Sequence, residues 1–311
     1  MKYAYTLLLA AAVLMACEER IFPELPSGEA PIVIDAWLYR KPETQTIRIS
    51  RANRYFDQTR PMGISGAIVR VIDQDDPTNP ILFTETDPGV YVWEPAQATD
   101  TFGIMGRSYA LDIQWNGNTY SSFSTINRVP KVDSLTWRLE PATAFYDASY
   151  FGEFWARDFV GEGDAYWIKA WKNGELLTKP SELNIAYDAG FSAGGNADGL
   201  IFIQPIRDGM NPFDVDEEDR LIAPYVLGDS AYVEISSITQ SALFFLQQVQ
   251  IQTDRPGGFG ELFATPLANV QSNIVSSDPK EKVVGFFCTS GVRGLGRKFT
   301  EEAIYEKKPA D

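Results

Sequence analysis

The 311-residue chain contains no histidine. That absence removes Ser-His-Asp and Cys-His devices, His-ligated zinc and haem, and the side chain that most often serves as a general base near neutral pH. Any catalysis would fall to carboxylates or lysines, and no pair of them stands out among 42 acidic residues. The chain therefore reads as a non-enzyme with no catalytic residues. Cysteine is almost as scarce, with only Cys17 and Cys288. Cys288 ends the apolar segment that starts at Val283 and reads as a buried structural thiol. Positive charge is short as well: 27 Lys and Arg against 42 Asp and Glu leave a net charge of −15, a balance that repels nucleic acid and anionic membrane surfaces. The amino-terminal hydrophobic run, from about Ala4 to Met15, is too short to span a bilayer.

That run is the first thing the sequence does contain. Lys2 supplies a positive start, Leu7 to Met15 an apolar middle and Ala16 the small residue before a cut, so residues 1–16 read as a signal peptide. With Cys17 directly after it, Leu14-Met15-Ala16-Cys17 resembles the lipobox of bacterial lipoproteins. The resemblance implies that Cys17 is acylated and becomes the first residue of the mature chain, and covalent lipid is the only added group expected. Each buried CH₂ of such a lipid contributes about 0.8 kcal/mol of membrane anchoring. A plain secreted protein with a fortuitous cysteine is the alternative. Residues 17–30, with Pro23, Pro26 and Gly28 among charges, read as a tether. Glu18-Glu19 resembles the acidic export signal of Bacteroidetes surface lipoproteins, which points to an outer-membrane location on the cell surface rather than the periplasmic face.

From Ile32 the pattern is that of strands. Residues 32–38 and 46–50 are β-rich, Ala67, Val69 and Val71 share a face, and Tyr109, Leu111, Ile113 and Trp115 alternate ahead of an Asn116-Gly117 turn. Short strands at this spacing predict an immunoglobulin-like sandwich over residues 31–128. Pro130 marks a joint. A larger β-rich sandwich domain is expected over 129–300, with strands near 135–139, 166–171, 200–206 and 231–235 and a second hairpin at Asn173-Gly174. Within it, residues 239–253 place Ala242, Phe245, Leu246 and Val249 at helical spacing after Thr239, which predicts one packed α-helix. Residues 301–311 read as a polar tail. The fold class is thus all-β with a single packed helix.

Two long loops, 178–199 and 207–224, are of a length that is commonly functional. The second carries an acidic cluster over 208–219, which reads as a solvated loop, with calcium at Asp214, Asp216 and Glu218 as the alternative; the order of residues does not fit an EF-hand. Trp37, Trp115 and Trp137 fall on apolar faces, leaving Trp93, Trp155 and Trp171 as candidate ligand-stacking residues. Asn269 and Asn273 read as partners for backbone groups in a long irregular crossing.

The carboxy-terminal half holds the most distinctive residues. Gly228-Asp229, Val233 to Ile238, an aromatic helix around Phe244-Phe245, Pro266 with Asn269-Val270, Asn273-Ile274 and Gly285-Phe286-Phe287 follow one another in an order that resembles the DUF4249 family of Bacteroidetes lipoproteins. Val33 to Trp37, Ser65-Gly66-Ala67, Gly89-Val90-Tyr91, Val129-Pro130 and Asp133-Ser134-Leu135 extend the likeness over about residues 17–295. The charged stretch Ser276 to Lys282 departs from the family's short glycine turn. The resemblance implies an outer-membrane lipoprotein whose gene commonly neighbours one for a TonB-dependent transporter. It supplies no catalytic residues. The expected function is that of a non-catalytic accessory or substrate-binding partner of such a transporter, with a free-standing adhesin or glycan-binding module as the alternative.

Overall fold

Seven strands form over residues 32–125, most with alternating burial: β1 (Ile32–Tyr39), β2 (Gln45–Arg51), β3 (Ile68–Asp73), β4 (Ile81–Asp87), β5 (Val90–Trp93), β6 (Ser108–Trp115) and β7 (Asn118–Thr125). A computed structural model describes residues 30–305 apart from 54–56, 58, 144–146 and 219. The expected lipidation site Cys17 and nearly all of the expected tether therefore lie outside the described residues. Inward residues such as Ile32, Ile34, Ala36 and Leu38 on β1 are fully buried, and their outward neighbours are not. The β6–β7 hairpin turns at Asn116 and Gly117, both with positive φ (49° and 81°), as a type I′ turn demands.

Two further strands of this sheet come from far along the chain. β14 (Val275–Ser276) pairs with β7, and β15 (Val283–Ser290) pairs in parallel with β1 from Ile32↔Val283 to Tyr39↔Ser290. The result is one nine-stranded sheet in the order β14-β7-β6-β3-β4-β5-β2-β1-β15. It curls until its two ends nearly meet, and side chains bridge the gap. Ser124 Oγ on β7 accepts from Thr289 N on β15 (2.8 Å), and Asn273 donates to Phe287 O (2.8 Å) and accepts from Phe287 N (2.9 Å). Gly285 is required at the β1–β15 contact, because its φ is +105° and a Cβ there would lie 2.0 Å from Ile34 O. The division expected at residue 128 is thus crossed: β14 and β15 belong to the first sheet, where β15 covers the edge that β1 would otherwise leave bare.

The second body packs a ribbon of β8 (Val132–Glu140) and β9 (Ser149–Ala156) on a five-stranded sheet. That sheet comprises β10 (Ala165–Lys172), β11 (Glu175–Leu176), β12 (Asn184–Tyr187), β13 (Ser230–Ile238) and β16 (Val292–Lys298). Leu135, Trp137 and Phe154 of the ribbon meet Tyr166, Ile168, Val233 and Ile235 of the sheet in one core. Trp137 stacks on Phe299 at 4.7 Å. The strand expected at 200–206 is absent: Leu200–Ile203 contribute only a bridge, and Gln204–Arg207 form a helical turn with Pro205 near its start. The cause is visible in Phe202, Ile206 and Met210, which are buried at every fourth position, the spacing of a helix. The first residues of the expected polar tail are built into the body, with Ala303 buried and Tyr305 N donating to Trp137 O (2.9 Å).

The expected helix is present as α1 (Gln240–Thr253), capped by Thr239, whose hydroxyl accepts from Ala242 N (3.2 Å). It covers the seam between the two bodies, where Ala242, Leu243 and Leu246 meet Phe286 and Cys288. Phe245 and Phe286 flank Trp37 there, and Trp167 meets it edge-on at 5.2 Å. Cys288 is buried, as its setting in the sequence implied. The seam is welded by polar atoms too: Ser237 Oγ donates to Asn127 O (2.7 Å) and accepts from Gly291 N (3.0 Å), at the point where β15 passes into β16. Beside it Lys169 Nζ donates to Tyr39 Oη (2.7 Å) between the rings of Tyr39 and Trp167, 4.0 and 4.1 Å away. Burial pushes this amine down to about 8. Glu234 is buried nearby and pairs with Lys41.

Candidate functional site

A cleft of about 640 Å³ opens on the second body between the β8–β9 ribbon and the two long loops. Ser181, Glu182 and Phe191 come from the first loop, Asp208, Asn211, Phe213 and Leu221 from the second, and Arg138, Glu140 and Phe151 from the ribbon. Gly209 is forced here by space, since a Cβ would lie 2.2 Å from Asn184 Nδ2. Concave sites of this size with a few converging polar groups are the usual setting for a ligand.

Buried ion pairs hold the floor. Arg138, its side chain only 6% exposed, donates through Nε to Glu140 (2.5 Å) and through Nη1 and Nη2 to the two oxygens of Asp208 (2.9 Å each). Its far side meets Glu153, which also pairs with Arg207 at 3.2 Å and accepts the hydroxyl of Tyr305. Such bidentate, desolvated pairing fixes the arginine and the carboxylates in one geometry. Burial raises the Asp208 carboxyl above the usual range in spite of the Arg138 guanidinium, and Arg138 itself stays protonated. Asn211 is equally committed: it accepts from Gly152 N (2.7 Å) and donates to Gly152 O and Asp208 O. Asn184 donates to Ile206 O and Gln250 to Leu183 O. Phe191 and Phe213, by contrast, are 55% and 58% exposed on the rim, and neither stacks on a ring or cation of the chain among the described residues.

The residues singled out in the sequence lie elsewhere. Trp155 has Arg207 over its ring at 4.2 Å and Tyr305 at its edge, and its Nε1 donates to Thr136 (2.8 Å). Trp171 meets Tyr232 at 5.2 Å. Trp93 packs on Phe102 and borders a separate depression of about 400 Å³ with Leu82 and Thr84. In the acidic loop Asp214 pairs with Lys179, and Asp216 and Glu218 share Arg220 (3.0 and 3.3 Å), so each carboxylate has a cation of the chain beside it.

Among the described residues, Asp158, Asp188 and Asp198 are carboxylates spaced closely enough to share one cation, with ligand oxygens within 4.8 Å of one another. Nothing in the sequence singled them out, since 30 and more residues separate the first from the others. Asp158 accepts from Tyr166 Oη (2.5 Å), Asp188 from Gly163 N and Asp164 N, and Asp198 from Gly161 N. These bonds tie the loop after β9 to the loop after β12. Burial raises the Asp158 carboxyl.

Fold and site together define a β-sandwich-like protein with one packed helix and a loop-built cleft. The model of a family described as "Domain of unknown function (DUF4249)" matches residues 18–294, and the chain belongs to that family. Comparison with curated proteins returned no match.

Proposed function

We propose that the protein is an outer-membrane lipoprotein, anchored by acyl chains on Cys17 and displayed at the cell surface, that serves as a non-catalytic, substrate-binding accessory of a TonB-dependent transporter. The observation that carries this reading is the adjacency of two segments: the lipobox-like Leu14 to Cys17 ends at the residue before the family domain begins. An acylated Cys17 would tether the whole family domain directly to lipid. The cleft supports the binding role, because its loops present exposed rings over a rigid ion-paired floor. The lack of histidine supports the absence of chemistry.

The test is mild detergent extraction of the native outer membrane followed by affinity capture of the full chain. A TonB-dependent barrel is expected in the eluate, and Cys17→Ser is expected to shift the protein to the soluble fraction. Recovery of the protein without any barrel overturns the transporter reading. An unmodified Cys17 thiol by mass spectrometry overturns the anchor.

A further inference from the structure

The polar groups of the cleft are sharply asymmetric. Its strong donors are spent on the protein: Arg138 on Glu140 and Asp208, Asn184 on Ile206 O, Asn211 on Gly152 O and Asp208 O, and Gln250 on Leu183 O. Its carboxylates outnumber its cations. Glu140, Glu182 and Asp208 line it against Arg138 alone, with Glu182 held in place by the N–H groups of Lys179 and Phe213. A carboxylate offers about four lone-pair positions, and Glu140 uses Oε1 for Arg138 while its side chain stays 29% exposed. Ser181 adds a hydroxyl that works in either direction.

A ligand for such a cleft has to bring its own donors and positive charge. Anions are repelled, and a neutral sugar, which needs donors from the protein as well as acceptors, finds few. The rim adds the complementary half. The π faces of Phe191 and Phe213 attract cations and cover apolar carbon, and both rings are exposed, with no ring or cation stacked on either among the described residues.

We propose that this cleft binds an organic cation, a guanidinium or ammonium group on an apolar body, with the charge at Glu140 and Asp208 and the apolar part between Phe191 and Phe213. The assignment rests on the cleft being the binding site of the accessory protein described above and names the chemistry of what it takes. The same chemistry can come from a free small molecule or from a basic side chain of a partner polypeptide.

Calorimetric titration of the full-length protein in detergent tests it, with benzyltrimethylammonium and acetyl-arginine amide as cations and benzyl alcohol and benzoate as neutral and anionic controls. Saturable binding of at least one cation is expected. Phe213→Ala and Phe191→Ala, both exposed and harmless to the core, should each weaken it about tenfold, as a desolvated cation–π contact would, and Glu140→Gln should weaken it at unchanged circular dichroism. Tighter binding of the arginine derivative assigns the ligand to a polypeptide; tighter binding of the ammonium ion assigns it to a small molecule. Equal binding of the neutral alcohol, indifference to all three variants, or no saturation by either cation overturns the proposal. A barrel recovered by affinity capture alongside a cleft that ignores cations sinks only this inference, whereas cation binding without a barrel sinks only the transporter reading.

Discussion

Lys169 is the residue whose charge state the fold disturbs most usefully for experiment. Held between the Tyr39 and Trp167 rings, its amine titrates near 8 instead of the ordinary lysine value of 10.5. Burial is the largest cause, Lys41 adds to it, and Glu234 opposes it. A lysine depressed in the folded state binds its proton less well there than in the unfolded chain, so between about pH 8 and 10.5 the unfolded state holds more protons and this group makes stability rise with pH. Lys169→Met, of similar length, should abolish that rise and stabilise the protein at pH 7, where the charge is buried at a cost. Urea unfolding midpoints measured from pH 7 to 10.5 on both proteins check it, and parallel curves would show that Lys169 does not titrate there. None of this was legible in the sequence. Tyr39, Lys41, Lys169 and Glu234 are spread over almost two hundred positions and meet only because β1, β10 and β13 converge at the seam.

At the scale of elements, local chemistry was readable and long-range pairing was not. The Asn-Gly turns at 116–117 and 173–174 stand where the sequence puts them, with positive φ at all four residues, because a two-residue turn is decided by those residues alone. The helix after Thr239 follows from spacing and cap in the same way. β4 escaped because only Phe83 of its seven residues is buried, and the strand expected at 200–206 failed because an apolar run alone does not tell alternate from fourfold spacing. The cleft escaped because its residues run from 138 to 250, although the two loops flagged for their length supply much of its wall. Asn273 fulfils the role read for it, holding backbone groups of β15, whereas Asn269 is exposed and makes no side-chain hydrogen bond among the described residues. Asn273→Ala strands the N–H and C=O of buried Phe287, and a loss of about 2 kcal/mol is expected at roughly 1 kcal/mol or more for each unsatisfied group. A chemical-denaturation midpoint unchanged from the parent would mean that water or a strand shift satisfies both groups.

For the molecule as a whole, the two bodies are interleaved, because the chain leaves the first sheet after β7, returns to it at β14 and β15 and ends in the second. β15 completes the first sheet and, after Gly291, β16 completes the second. Ser237 and Asn127 lock the passage between them. One cooperative unfolding transition by calorimetry is therefore expected for the full chain. Residues 31–128 expressed alone lack the partner that covers β1 along its whole length, and they should give a poorly dispersed amide spectrum. A well-dispersed spectrum from that fragment would show that the first sheet stands without β15. A two-domain division is what any reading by composition gives, because strand propensity carries no record of which distant strand will be the neighbour.

The parallel partner of the opening strand lies some 250 residues downstream. A ribosome delivers the chain in order, so Ile32–Tyr39 has one flank unsatisfied until Val283–Ser290 has been made, and the barrel-like wall around the first core stays ajar until then. Late-arriving contacts of this kind make folding slow and keep the nascent polypeptide open for long enough to be threaded, engaged by a chaperone, or lost to aggregation. The order in which this molecule is made therefore sets a window before compaction, and its length is written in the position of one strand.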